Sequence, residues 1–139
     1  MRIGLCAWSF TGSHREAGNE IDPHSPTGLI QLALENNLAS VEFASLSLQK
    51  LRKKELASFR TELGNLDLIL DTGGTNYSED VTPLLEAIET SHRSGANVLR
   101  TTISNMLEGD RRSLGLDGIK SYLERLVEPF KSIVPLAEK

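Results

Sequence analysis

Two ionisable residues stand inside apolar, β-branched runs where a charge is costly. Glu42 sits in Ser40-Val41-Glu42-Phe43-Ala44, and Arg100 sits in Asn97-Val98-Leu99-Arg100-Thr101-Thr102-Ile103-Ser104. A carboxylate withdrawn from water must find a cation or hydrogen-bond donors, or it takes up a proton. Arg100 is the natural partner, because each run carries one charge near its middle. Either the two form an internal ion pair, or both face a bound ligand or support a metal site from behind its ligands. Further candidates close the other apolar runs: Trp8 and Ser9 in the first, Asp71 and Thr72 in the third, Thr102 and Ser104 in the fourth.

Other constellations point to bland roles. The turn Asp71-Thr72-Gly73-Gly74-Thr75-Asn76 has the glycines of an anion-binding loop. It lacks the lysine of a nucleotide-binding loop, and Glu79 and Asp80 would repel phosphate, so a tight strand-to-helix turn is expected. His14 and His24, the latter beside Asp22, suit solvent-facing loop positions better than half of a metal site. His92 falls near a helix C-terminus, where its protonated form is favoured. Arg111-Arg112 suits a solvated loop, with an acidic-ligand clamp as the alternative. Cys6, the only cysteine, has no internal partner and reads as a small buried residue in a reducing compartment.

These residues are positioned by strands alternating with helices. The first strand is expected over Ile3–Phe10, apolar nearly throughout as in a parallel sheet covered on both faces. A polar loop over residues 11–25 leads to a helix over Pro26–Asn37, with Ser25 as cap and Pro26 in its first turn. The second strand is Ser40–Ala44, followed by one amphipathic helix over Ser47–Leu63 and a stop at Gly64. The third strand is Leu66–Asp71; Asp80 caps the next helix, which Gly95 ends. The fourth strand is Asn97–Ser104. A polar loop containing Gly109 and Gly115 then precedes a last helix that Asp117 caps. Pro129 and Pro135 predict a kink or break within it. The expected fold class is α/β: four βα units of ~30 residues each with parallel strands.

Composition narrows the function. With 139 residues, 39% hydrophobic, the chain supports one domain over residues 1–139. Its net charge of −4 and scattered basic residues argue against a nucleic-acid partner. The densest basic cluster, Arg52-Lys53-Lys54, suits a solvated helix face. No stretch reaches the ~20 apolar residues of a membrane span, and no signal-peptide pattern opens the sequence. A cytoplasmic location is expected. A doubly wound nucleotide-binding domain is disfavoured, because no Gly-x-Gly-x-x-Gly follows any strand.

The chain resembles the N-terminal half of the xylose isomerase-like TIM-barrel superfamily of sugar phosphate isomerases and epimerases. The likeness is carried by Arg2-Ile3-Gly4-Leu5, by Val41-Glu42-Phe43, by Val98-Leu99-Arg100 after Ser94-Gly95-Ala96, and by Pro135-Leu136-Ala137-Glu138-Lys139. It implies half of a (β/α)8 barrel whose ligands meet the carboxyl ends of the strands. It implies a sugar or sugar-phosphate substrate, with Trp8, Glu42, Asp71, Thr72, Arg100 and Thr102 as pocket walls; for Trp8 the alternative is core packing. It also implies metal-assisted proton transfer next to a carbonyl. The divalent metal (Mn, Mg, Co or Zn) would rest on ligands of later strands, with no counterpart in these 139 residues. A complementing C-terminal half is then the expected partner. The alternative is a non-catalytic half-barrel that dimerises or binds a small sugar-like ligand.

Overall fold

A computed structural model describes residues 3–10, 22, 25–72, 80–101 and 108–138. In chain order the elements are β1 (Gly4–Cys6), a 3-10 turn (Ala7–Phe10), α1 (Pro26–Glu35), β2 (Ser40–Ala44) and α2 (Ser45–Gln49). They continue with α3 (Lys53–Leu63), β3 (Asp67–Asp71), α4 (Thr82–Ser94), β4 (Val98–Arg100) and α5 (Glu108–Ala137). All strand pairs are parallel, and the sheet runs β1-β2-β3-β4 without reversal. The expected α/β class with four parallel strands is what the chain adopts. A doubly wound sheet needs a point where strand order reverses, and the described strands contain none.

Local chemistry sets the helix ends. The Ser25 side chain accepts from the Gly28 N–H, with Pro26 opening α1. Asp80 Oδ1 accepts from the Thr82 N–H at 3.0 Å, and Gly95 (φ 81°) takes the left-handed cap that ends α4. Between Ser45 and Leu63 there are two helices rather than one. The Arg52 N–H donates to Glu55 Oε2 at 2.7 Å and its guanidinium donates to Oε1 at 2.7 Å, and Glu55 so placed in the first turn starts α3 afresh. Hydrogen bonds from Arg52 also pull the exposed Glu55 carboxyl down to about 2.

Other expected boundaries shift. β1 stops at Cys6 because the chain tightens into the 3-10 turn, which carries Trp8. β4 is confined to three residues. The segment with Gly109 and Gly115 is helical instead of a loop. The interruption of α5 falls at Gly115 (φ 63°, ψ 177°), while its backbone stays helical through Pro129 and Pro135. The expectations on His14, His24, Thr102, Ser104 and the Gly73–Asn76 turn lie outside the described residues, as do the side chains of Arg111 and Arg112. Among the described residues, no helix is long and apolar enough to cross a membrane.

Side-chain alternation decides how the sheet is covered. Leu5, Val41, Phe43, Leu68, Leu70 and Leu99 point to one face, where they pack against Leu29, Ile30 and Ala33 of α1, Leu48 of α2, and Leu56, Phe59 and Leu63 of α3. Leu84 and Ile88 of α4 join Leu126 and Ile133 of α5 in a second cluster that reaches Leu99. The opposite face carries Gly4, Cys6, Ser40, Glu42, Ala44, Asp67, Ile69, Asp71, Val98 and Arg100 in register. No described helix covers it. The expectation of strands covered on both faces is therefore corrected: successive crossovers of one hand lay every helix on the same side.

Phe43 lies 2% exposed at the centre of the covered face, edge-on to Phe59 with ring centroids 5.8 Å apart. We expect Phe43→Ala to cost about 3–5 kcal/mol, read from urea unfolding monitored by circular dichroism.

Candidate functional site

The uncovered face gathers its chemistry at the carboxyl ends of the strands. Register places Cys6, Glu42, Ile69 and Val98 in one row across the sheet, and Ala44, Asp71 and Arg100 in the next. Arg100 reaches back across β3. Its Nε and Nη2 both donate to Glu42 Oε1, at 2.9 and 2.5 Å, and Nη2 also donates to Asp71 Oδ2 at 3.2 Å. From the 3-10 turn after β1, Trp8 Nε1 donates to the same Asp71 oxygen at 2.7 Å. The result is a continuous chain of groups, Glu42–Arg100–Asp71–Trp8, with one member from each βα unit.

Burial grades across this chain. The Asp71 side chain is 8% exposed, Glu42 19% and Arg100 51%, and Trp8 is 48% exposed. The carboxylates are thus set into the floor, while the guanidinium and the indole stand at the rim. Thr72, buried beside Asp71, donates its N–H to the Arg100 carbonyl at 3.1 Å, and its hydroxyl lies 3.4 Å from that of Thr101. These contacts tie the ends of β3 and β4 together just beyond their last paired residues.

Two carboxylates and one guanidinium leave the cluster with one net negative charge. Arg100 satisfies both acids, and its hydrogen bond to Glu42 holds the guanidinium above its ordinary pKa. Both Arg100 bonds to Glu42 end on Oε1, so Oε2 is left to accept from a ligand or from the thiol next to it. That thiol is Cys6, two residues before Trp8. Burial pushes its pKa up, and the Glu42 carboxylate adds to the rise.

Four of the six expected wall residues, Trp8, Glu42, Asp71 and Arg100, therefore stand at one end of one sheet face, and Thr72 is buried just beyond β3 beside them. Glu42 and Arg100 form an ion pair, one of the two arrangements open to them, with Arg100 half-exposed, and Asp71 joins it. Trp8 is at the rim and not a core residue. Cys6 was missed as a neighbour of the site; its spacing of two from Trp8 was the available signal. His92 lies elsewhere, in the last turn of α4, with Nε2 3.1 Å from the Leu136 carbonyl oxygen.

No group of three or more His, Cys, Asp or Glu among the described residues is arranged to hold a metal ion. The Arg100 guanidinium occupies the position between the two carboxylates that a cation would take. No protein-family model matches the chain, and no curated protein or solved structure matches it significantly.

Two outcomes test this geometry. Arg100→Leu leaves two carboxylates facing each other without a cation. It should cost about 1–2 kcal/mol in urea unfolding, between the values for an exposed and a buried pair because Arg100 is half-exposed. Adding Glu42→Gln should recover part of that loss. For Cys6, the raised pKa means the protonated, unreactive thiol persists to higher pH. The midpoint of its alkylation rate should therefore lie above that of free cysteine and move down in Glu42→Gln; an unchanged midpoint would separate the two side chains.

Proposed function

We propose that the chain supplies the sugar-binding wall of a xylose isomerase-like (β/α)8 barrel acting on a sugar or sugar phosphate in the cytoplasm. The observation that carries this reading is the convergence of Trp8, Glu42, Asp71 and Arg100, one from each unit, at the carboxyl ends of the strands on the face that the helices leave open. Barrel enzymes place their ligands at that end. One-sided helical cover in unbroken strand order is the layout of successive barrel units.

Each side chain has a task suited to a polyol. The half-exposed indole offers an apolar plane for the C–H face of a sugar ring, while its N–H is already held by Asp71. Glu42 Oε2 accepts from a hydroxyl. The rim donors of Arg100 suit the carbonyl oxygen of an open-chain sugar, where negative charge grows as the adjacent proton leaves. The net negative charge of the cluster favours a neutral hydroxyl-bearing portion of the substrate here, so a phosphate group would lie away from the cluster. In this reading the metal named by the resemblance belongs to residues of a completing half, and no step performed by this chain runs through it.

Trp8 is the only tryptophan in the sequence, so its emission reports the site directly. Titration with neutral aldoses and ketoses should give a saturable change in that emission. Asp71→Asn, which weakens the hold on both Trp8 and Arg100, should loosen binding roughly tenfold. Absence of any saturable change at tens of millimolar sugar would overturn the assignment.

A further inference from the structure

The helix side of the sheet holds a second charged feature, remote from the open face. A cleft of about 350 Å³ lies where α3 packs on α4, lined by Lys53, Leu56, Ala57 and Arg60 of α3 and by Arg93 of α4. Its ionisable residues are all cations, in a chain whose net charge is −4. None of Lys53, Arg60 and Arg93 is in salt-bridge contact with a carboxylate among the described residues. The rest of the basic run at the start of α3 is engaged elsewhere. Arg52 pairs with Glu55, and Lys54 lines a separate cleft between α3 and the start of α1.

Backbone contacts hold both guanidiniums in place. Arg93 Nη2 donates to the Leu51 carbonyl oxygen at 3.3 Å. The Arg60 side chain lies over Gly95, where an added methyl group would stand 3.4 Å from Nε. Cations near the end of α4 complement its dipole, which gives the two arginines a structural role. Lys53 has no such role, because it is the first residue of α3, the end at which a helix favours anions. Like charges gathered over an apolar floor, here the buried Leu56, repel one another and raise the local concentration of counter-ions.

We propose that this cleft binds a phosphate group, carried by a small phosphorylated molecule or present as free phosphate. Guanidinium forks match phosphate oxygens in pairs, and a lysine adds a point charge. A phosphomonoester carries about −1.5 to −2 charge at pH 7, which balances most of the charge of the three cations. A carboxylate would leave two of them unmatched. The seam between α3 and α4 lies over the inner strands, away from both sheet edges, so a completing half would leave it open. The sheet separates the cleft from the Trp8–Asp71–Arg100–Glu42 cluster. The proposal therefore does not rest on the sugar-binding reading, and the two fail separately.

The test is a titration of the isotope-labelled 139-residue chain with inorganic phosphate at constant ionic strength, followed by amide resonances. The amides of Ala57, Arg93 and Gly95 should shift saturably, with a midpoint below about 10 mM. Arg60→Gln and Arg93→Gln should each raise that midpoint about tenfold, and Lys53→Gln about fivefold. Lys54→Gln removes the same charge one residue away but outside the cleft, and should leave the midpoint unchanged. Trp8 emission should stay constant throughout. A hexose phosphate that saturates the same amides at lower concentration than inorganic phosphate identifies a phosphorylated molecule as the ligand; equal midpoints identify phosphate itself. No saturation by about 20 mM phosphate would overturn the proposal. Equal losses in Lys53→Gln and Lys54→Gln would also overturn it, because they would mark a diffuse response to charge. So would shifts confined to residues around Trp8. Should an arginine variant lose its far-ultraviolet circular dichroism, the comparison of the two exposed lysines still decides the outcome.

Discussion

A single guanidinium organises the functional end of this sheet. Arg100 extends from the edge strand over β3 and satisfies Asp71 and Glu42 together. Both acids lean on that charge in the sheet floor, because a carboxylate withdrawn from water needs a compensating donor. Asp71 in turn holds the Trp8 indole. Position, charge balance and the orientation of the aromatic rim all pass through this one side chain, which is itself half-exposed and so still within reach of a ligand.

That arrangement depends on a sheet with two unlike faces. Parallel sheets are usually covered on both, which makes their strands uniformly apolar. Here β2 and β3 alternate: Val41, Phe43, Leu68 and Leu70 are buried under helices, while Glu42, Ile69 and Asp71 face away from them. The alternation follows from the sequential strand order, since every crossover places its helix on the same side. Polar chemistry is tolerated in these strands because one face has been kept free of helices.

Much of this is legible in the amino-acid sequence. β2 falls on Ser40–Ala44 as expected, and the charges at Glu42 and Arg100 find each other because each is alone in an apolar run. Alternation within β2 was there to be read, with Val41 and Phe43 on one side and Glu42 on the other. Composition overrode it, and double coverage was the wrong expectation. The end of β1 was hidden because Ala7-Trp8-Ser9-Phe10 is as apolar as a strand, and nothing local announces a 3-10 turn. The division of α2 from α3 depends on a backbone N–H reaching the Glu55 side chain, a contact that hydrophobic periodicity does not register. The two prolines of α5 lie within continuous helix, whereas the backbone of Gly115 leaves helical geometry altogether, a break that proline positions do not reveal.

The unbroken strand order also bears on how the chain reaches this state. Each strand pairs only with neighbours from adjacent βα units, so the sheet can grow by adding one short crossover at a time, each a modest loop-closure cost. The bonds of Trp8 to Asp71 and of Arg100 to Glu42 are different, spanning 63 and 58 residues. They skip a strand, so they can form only after the intervening strands are in register. The binding face is thereby coupled to the completed sheet: its indole becomes anchored at the close of assembly, and a misregistered intermediate presents no organised site.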